Sequence, residues 1–267
     1  MPLISAMITT LRGPDARVNS RIQHIAGEAL TRMSGIPKEV RERIKAVVFD
    51  LDDTLVQSTV DFAKFKVMVI EKIASHGEDR RLYSPNETVV AIVARYEDRM
   101  RSLGVKEPEI RRRLAELDRI MDEVELEGVN ETLAIDGAAE LLGYLRRRGV
   151  KIGILTRGCE AYAKVALTRT HLLDLADAIE CRNSDTKAKP DPEAYLKLVA
   201  ALGVKKEESL FVGDHPIDAK CAANAGVPFI GVMSGDVPEE LLRSAGAAEV
   251  LKDVSELLLW FRTDPAD

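Results

Sequence analysis

Residues 46–56 read Ala-Val-Val-Phe-Asp-Leu-Asp-Asp-Thr-Leu-Val, and this stretch organises the interpretation of the whole chain. Its four leading apolar residues are typical of a strand that is buried in a parallel sheet. Three carboxylates and a threonine follow at once. Because ligands bind at the carboxyl ends of strands in open α/β sheets, acids at this position are well placed for chemistry. Asp50 and Asp52 flank Leu51, so one carboxylate can act as nucleophile while the other transfers protons.

The same stretch resembles the first motif of the haloacid dehalogenase (HAD) superfamily, four hydrophobic residues followed by Asp-x-Asp-x-Thr. The match continues to Leu55, which usually follows the motif. An ordinary strand that leads into an acidic turn or helix cap has a similar composition, because Asp and Thr both favour such positions. The order of later motifs therefore has to separate these two interpretations.

The end of a strand predicted over residues 150–155 is similar to the superfamily's second motif. This strand leads to Thr156, Arg157 and Gly158, and the superfamily places a Thr or Ser at this strand end. The resemblance implies that the Thr156 hydroxyl and the neighbouring backbone amides donate hydrogen bonds to phosphate oxygens. A strand that ends in threonine is common, so the assignment depends on its position in the chain.

The run Lys189-Pro190-Asp191-Pro192 resembles the third motif. The superfamily's lysine pairs with the phosphoryl group and the nucleophile, so the resemblance assigns this task to Lys189. A fixed cation lets a carboxylate approach an anionic phosphate without severe repulsion. Lys187 is the competing assignment because it is only two positions away, and the two prolines favour Lys189.

Residues 213–218 resemble the fourth motif, Gly-Asp-x-x-x-Asp, with Asp214 and Asp218 as its acids. In the superfamily the first acid binds magnesium and the second supports the site. The resemblance implies that Asp50, Asp214 and the backbone carbonyl of Asp52 bind Mg²⁺, which prefers hard oxygen ligands and keeps several waters. The resemblance gives His215 no metal or catalytic role, and we expect it to line the site from a loop.

The order of elements predicts an α/β fold, a Rossmann-like HAD core with a parallel sheet and an inserted helical cap. The gap from Asp50 to Thr156 is too long for a single crossover, so the insertion follows the first motif. We predict a core at residues 44–56 and 135–267, a helical cap without strands at 57–134, and a helical N-terminal extension at 1–43. In the superfamily this position implies a type 1 cap, which opens and closes over the site and selects small substrates.

Several helices are predicted inside these segments from apolar spacing and end signals. The extension is expected to contain an amphipathic helix over residues 18–33 and a short charged helix over 38–45. In the cap, one helix is expected to start at residues 85–87 and another to span 108–124. The three arginines at 111–113 are interpreted as a solvated helix face rather than a phosphate-binding site.

The four motifs together imply a magnesium-dependent phosphatase. By the resemblance, Asp50 attacks phosphorus to form an aspartyl-phosphate, and Asp52 protonates the leaving oxygen and then activates water. Thr156 and Lys189 hold the phosphoryl group, and Asp218 supports the site. The substrate is expected to be a small phosphorylated metabolite, with phosphoglycolate as the leading specific candidate.

Other reactions share this motif set. A phosphomutase of the β-phosphoglucomutase type keeps all four motifs and stays an open alternative. A haloacid dehalogenase is disfavoured by Asp52, because a leaving halide needs no proton, and a phosphonatase is disfavoured because no cap lysine stands out as a Schiff-base group. A binding or regulatory protein built on an enzyme fold would be expected to have lost a motif residue, and none is lost.

Composition narrows the class of protein further. Among the 267 residues 46% are hydrophobic, 31% are charged and the net charge is −6, which disfavours a general nucleic-acid binder. No apolar run is long enough to span a bilayer and no secretory signal is apparent, so we expect a cytoplasmic protein without membrane contact. We expect it to be a monomer or a homodimer. The three cysteines predict no disulfide framework. Cys181 and Cys221 are expected to be buried, and Cys159 is either buried or a reactive thiol beside the phosphate site.

Overall fold

The computed structural model describes residues 36–262, so the helix predicted over residues 18–33 lies outside the described residues. The strands are β1 (Ala46–Phe49), β2 (Val56–Gln57), β3 (Leu133–Ala134), β4 (Lys151–Leu155), β5 (Ala178–Glu180), β6 (Ser209–Gly213), β7 (Phe229–Val232) and β8 (Glu249–Leu251). The α-helices are α1 (Lys38–Arg41), α2 (Phe62–Ser75), α3 (Val89–Ser102), α4 (Glu107–Glu127), α5 (Ala138–Arg147), α6 (Glu160–Arg169), α7 (Glu193–Ala201), α8 (Pro216–Ala225), α9 (Glu239–Ser244) and α10 (Val254–Arg262).

Six of the strands form one parallel sheet in the order β5-β4-β1-β6-β7-β8. The chain builds outward from β1 through β4 to β5, and then returns to the other side of β1 to add β6, β7 and β8. This is the strand order of a doubly wound α/β fold, and the point where the order reverses is the usual place for a ligand. The predicted fold class, an α/β Rossmann-like core, is confirmed.

Helices cover both faces of the sheet, which explains why β1 is continuously apolar. Val47 and Phe49 point into a hydrophobic cluster with α5, α6 and α10, whereas Ala46 and Val48 point into a second cluster with α7, α8 and α9. Successive side chains of a strand alternate between faces, so a strand buried on both faces needs apolar residues at every position.

Helices α2, α3 and α4 occupy the insertion between β1 and β4 and pack around a third hydrophobic cluster of their own. The chain enters and leaves this helical insert through β2 and β3, which pair antiparallel with Val56 opposite Ala134. The expectation that residues 57–134 contain no strand is therefore wrong at both ends of the insert. Two-residue strands are too short to produce a periodic sequence signal.

Element boundaries differ from the predicted ones where side chains cap the helices. Helix α3 starts at Val89, not at residues 85–87, because the Thr88 hydroxyl accepts a hydrogen bond from the Ala91 amide at 3.2 Å. Helix α1 ends at Arg41, short of the predicted residue 45, and α9 was not predicted. Within residues 36–262, no helix combines the length and the apolar character that crossing a membrane requires.

Candidate active site

The carboxyl ends of three adjacent strands bring the predicted motif residues to one edge of the sheet. Asp50 follows β1, Thr156 follows β4 and Asp214 follows β6, and β1 pairs with both of the other strands. All three residues are buried. The sheet thus places a carboxylate, a hydroxyl and a second carboxylate side by side.

Lys189 is the cation at the centre of this edge. Its side chain is only 2% exposed, and its Nζ lies 2.7 Å from Asp50 Oδ1 and 2.7 Å from Asp218 Oδ1. Burial lowers the pKa of Lys189, but the two carboxylates raise it by more, so the net shift is upward and the ammonium stays charged. Lys187 is 75% exposed and lies 3.9 Å from Asp191. Of the two candidate lysines, Lys189 is the one that reaches Asp50.

The buried carboxylates at this edge outnumber their cation. Oxygens of Asp50, Asp214 and Asp218 lie within 4.8 Å of one another. Burial and the charges of Asp50 and Asp218 raise the pKa of Asp214 to about 9. Lys189 binds Asp218, which also accepts a hydrogen bond from the His215 amide at 3.2 Å. Lys189 is thus shared between Asp50 and Asp218 and cannot neutralise all three acids. The oxygens of Asp50 and Asp214 are hard donors in a site with excess negative charge, a donor set that fits Mg²⁺.

Asp218 can lie this close to the strand because the motif's glycine leaves room for it. A Cβ atom at Gly213, the last residue of β6, would lie 2.6 Å from Asp218 Oδ2. Any larger residue would displace the carboxylate that binds Lys189. The predicted supporting role of Asp218 thus has a geometric basis in the packing of this glycine.

Asp52 has a partner that the sequence did not reveal, the hydroxyl of Tyr162, which donates a hydrogen bond to Asp52 Oδ1. Burial raises the pKa of Asp52 to about 7, and the hydrogen bond from Tyr162 opposes this shift. The tyrosine is fully buried in α6. A Cβ atom at Gly158 would lie 2.8 Å from Tyr162 Cδ1. A glycine at this position therefore allows the tyrosine ring to pack where it reaches Asp52.

Thr156 and Arg157 face the same site in different ways. Thr156 Oγ1 accepts a hydrogen bond from the Gly158 amide at 2.9 Å, which leaves its hydroxyl hydrogen available to another acceptor. Burial lowers the pKa of Arg157, while the charges of Asp218 and Asp50 act in the opposite direction. Among residues 36–262 no hydrogen bond or ion pair engages the Arg157 side chain. Its guanidinium is therefore available to an anion.

Two further residues of interest turn out to be helix caps. His215 Nδ1 accepts a hydrogen bond from the Ile217 amide at 3.1 Å and caps α8. Cys159 caps α6 through a 3.4 Å contact from the Tyr162 amide to its Sγ. Cys159 is buried and burial raises the pKa of its thiol to about 11, so the reactive-thiol alternative is wrong. Cys181 and Cys221 are buried, as expected.

A cavity of about 300 Å³ separates this edge of the core from the helical insert. Arg182, which follows β5, crosses to the insert and forms ion pairs with Asp122 and Glu125 of α4. Glu125 also accepts a hydrogen bond from the Cys159 amide at 2.8 Å. The sequence did not reveal these contacts, because more than fifty residues separate Arg182 from its partners and no local pattern joins them.

The arginines at 111–113 take no part in the site. Arg112 and Arg113 both pair with Glu109 on their own helix at 2.7 Å, and Arg111 is exposed. These contacts agree with a solvated helix face. The loop that follows β7 does contact the first motif, since Ser234 Oγ donates a hydrogen bond to the Asp53 carbonyl at 2.5 Å. The interpretation of the sequence assigned no role to this serine.

Comparison with known proteins agrees with this geometry. The family model of haloacid dehalogenase-like hydrolases matches residues 44–226. The chain belongs to this family. A phosphoglycolate phosphatase of Rhodospirillum rubrum is 33% identical over 221 residues, which are 81% of this chain and 90% of that protein. An N-acetylmuramic acid 6-phosphate phosphatase of Pseudomonas aeruginosa is 27% identical, over 82% of this chain and 95% of that protein.

The solved structure of a hydrolase from Pseudomonas syringae has the same fold, with a TM-score of 0.57 and 22% identity, and it covers 82% of this chain and 99% of that one. The predicted family is thus confirmed. The chain is a phosphatase of the haloacid dehalogenase family, as its named relatives are.

Proposed function

We propose that this phosphatase hydrolyses a small-molecule phosphomonoester through an aspartyl-phosphate on Asp50, with Mg²⁺ as cofactor. The supporting observation is the buried bridge in which Lys189 contacts both Asp50 and Asp218 at 2.7 Å. Burying a lysine costs desolvation energy that only close partners offset. A bridge of this kind keeps one nucleophilic carboxylate fixed and lowers the repulsion that an incoming phosphate would meet.

Each motif residue then has a step to perform. Asp50 attacks phosphorus, while Lys189, the Thr156 hydroxyl and the Arg157 amide bind the phosphoryl oxygens. Asp52 protonates the leaving oxygen, for which a pKa of about 7 is well matched to neutral pH. The same carboxylate then takes a proton from the water that hydrolyses the intermediate.

Mg²⁺ would be held by Asp50, Asp214 and the Asp52 carbonyl, and when bound it offsets the charge of the phosphoryl group. Because Asp218 is already bound by Lys189 and the His215 amide, its role is to orient the lysine. Removing the metal would leave the acids of this edge to repel an anionic substrate.

We also propose that residues 57–134 act as a cap over a core formed by residues 44–56 and 135–267. The insert has its own hydrophobic cluster and joins the core through β2 and β3. Closure of such an insert excludes water from the phosphoryl group and strengthens the electrostatic interactions there. A phosphomutase would share these features, but no contact among the described residues favours one.

The test is an assay with acetyl phosphate, phosphoglycolate and a panel of phosphorylated metabolites. We expect Mg²⁺-dependent release of phosphate that excess chelator abolishes and added Mg²⁺ restores. The Asp50→Asn variant keeps the Lys189–Asp218 ion pair, so it should fold normally and lose turnover by roughly a millionfold. Full activity in excess chelator, or turnover by Asp50→Asn near the wild-type rate, would contradict the proposal.

A further inference from the structure

The cavity between the insert and the core is apolar on its insert side. Its apolar lining there comes from the linker into α2 and from the three insert helices: Val60, Phe62, Phe65, Val89, Val90, Val93, Ala94 and Met121. Several of these side chains also belong to the insert's own hydrophobic cluster. Such a surface favours an apolar ligand, because binding removes apolar area of both the ligand and the cavity wall from water.

The charged groups of the cavity leave no cation at the insert end. Arg182 is already engaged by Asp122 and Glu125, and Asp118 lies 3.8 Å from its Nε. Glu97, Asp118 and Glu125 add negative charge to the lining. A second anionic group on a substrate would therefore meet carboxylates and apolar carbon there, an environment that penalises a charge.

Arg157 is the remaining cation of the cavity lining, and it belongs to the core side of the cavity. It follows Thr156 at the end of β4, and its charge interacts with Asp218 and Asp50. A guanidinium in that position serves the phosphoryl group. The charges that act on it most are those of Asp218, Asp50, Arg182 and Glu125, and none of these residues lies on α2 or α3, where the alcohol part of a substrate would lie.

We infer that the preferred substrates are phosphomonoesters of uncharged alcohols that have an apolar body. The phosphoryl group binds beside Arg157, and the apolar body packs against Phe65, Val93 and Met121. This inference rests on the proposed function and names the substrate class of the same site. It places phosphoglycolate, whose leaving group carries a carboxylate, among the poorer substrates.

A series of straight-chain alkyl phosphates from ethyl to hexyl tests this substrate class, because the leaving-group chemistry stays constant while apolar area grows. Each buried methylene should raise kcat/KM by about fourfold until the cavity is filled. Phosphoglycolate should fall below ethyl phosphate. Acetyl phosphate serves as the reference, since its acetyl group has the least apolar area of the set.

Two matched variants on α3 test whether the apolar body of the substrate packs against this helix. Ala94 lines the cavity and Ala91, on the same helix, does not, although both are exposed. Ala94→Asp should lower kcat/KM for hexyl phosphate relative to that for acetyl phosphate by roughly tenfold or more, because it places a charge against the apolar body. Ala91→Asp should leave both substrates unchanged.

Four outcomes would overturn the inference. A flat alkyl series, or a preference for phosphoglycolate over neutral esters, would refute the substrate class while acetyl phosphate hydrolysis leaves the proposed function intact. Equal effects of Ala94→Asp and Ala91→Asp on hexyl phosphate would refute the location of the apolar body. Failure to hydrolyse acetyl phosphate and every ester would overturn the proposed function, and this inference with it.

Discussion

The core edge and the helical insert face each other across one cavity, and they are built differently. On the core side, the side chain of Lys189 is fixed between Asp50 and Asp218 by two contacts of 2.7 Å. On the insert side the lining is mostly apolar, and acids of α4 reach across to Arg182. From this difference we expect buried charge in the core to determine the reaction and the insert to determine the choice of leaving group.

Apart from Asp50→Asn, the largest effect should come from removing the cation of the core side. Lys189→Met leaves three buried carboxylates without their counter-ion, and we expect turnover to fall by roughly a thousandfold. Lys187→Met is the matched control, because this lysine is exposed. Its replacement should leave turnover unchanged. Steady-state kinetics with acetyl phosphate measures both variants.

An equal loss of activity in the two lysine variants would show that turnover does not depend on the buried charge of Lys189 in particular. Thermal unfolding of Lys189→Met has to be recorded beside the kinetics, because an uncompensated buried charge is destabilising by itself. A folded Lys189→Met protein with normal turnover would remove Lys189 from the mechanism.

The next effect should concern the contact between the two regions. Arg182 is 14% exposed and pairs across the cavity, so Arg182→Gln should lower the free energy of unfolding by about 2 to 3 kcal/mol. Arg112 also pairs with two acids, but it is 56% exposed and its partners lie on the same helix. Arg112→Gln should leave the free energy of unfolding close to the wild-type value, because exposed ion pairs contribute little. Urea unfolding of both variants tests whether the inter-region pairs are the stronger ones.

A smaller effect should come from the tyrosine that contacts Asp52. Tyr162→Phe should slow ethyl phosphate hydrolysis roughly tenfold, because Asp52 loses the group that positions it for proton transfer. The kcat/KM for acetyl phosphate should be nearly unaffected, since it reports formation of the aspartyl-phosphate and acetate leaves without protonation. The ratio of the two rates separates a positioning role from a general loss of stability.

Tyr195→Phe provides the control for this ratio. The Tyr195 hydroxyl is buried as well, but it bonds Ser209 at 2.8 Å and the ring packs on the opposite face of the sheet. Its loss should cost about 1 kcal/mol of stability and leave the ratio of rates unchanged. A similar ratio in both tyrosine variants would contradict the role of Tyr162.

No effect at all is expected from thiol reagents on the native protein. All three cysteines are buried, and burial raises the pKa of the Cys159 thiol to about 11. Thiolate, the reactive form, is therefore scarce at neutral pH. Mass spectrometry should detect no alkylation before denaturation and three modified cysteines after it, while alkylation of native Cys159 with loss of activity would contradict the buried role.

The residues of the core edge could largely be predicted from the sequence, whereas the contacts of the helical insert could not. Asp50, Thr156 and Asp214 could be placed together because each directly follows a strand, and parallel strands end at one edge. Lys189 could be separated from Lys187 only by the adjacent prolines. Tyr162 could be assigned to a helix, but helical spacing does not say which atom its hydroxyl meets.

The insert side could not be predicted beyond its helices. Arg182 pairs with three acids that precede it by 57 to 64 positions, and none of the three carries a local signal. The cavity lining draws single residues from several segments, so no stretch of sequence displays its apolar character. Contacts of this kind arise only once the insert has packed over the core.

The most direct test of the account is to identify the residue that carries the phosphoryl group. Wild-type enzyme turning over acetyl phosphate with Mg²⁺ should be quenched rapidly in acid, digested and examined by mass spectrometry, with Asp50→Asn as the control. The account predicts one added phosphoryl group on Asp50 and none in the variant. A phosphoryl group on another residue such as His215, or burst turnover with unmodified Asp50, would contradict it.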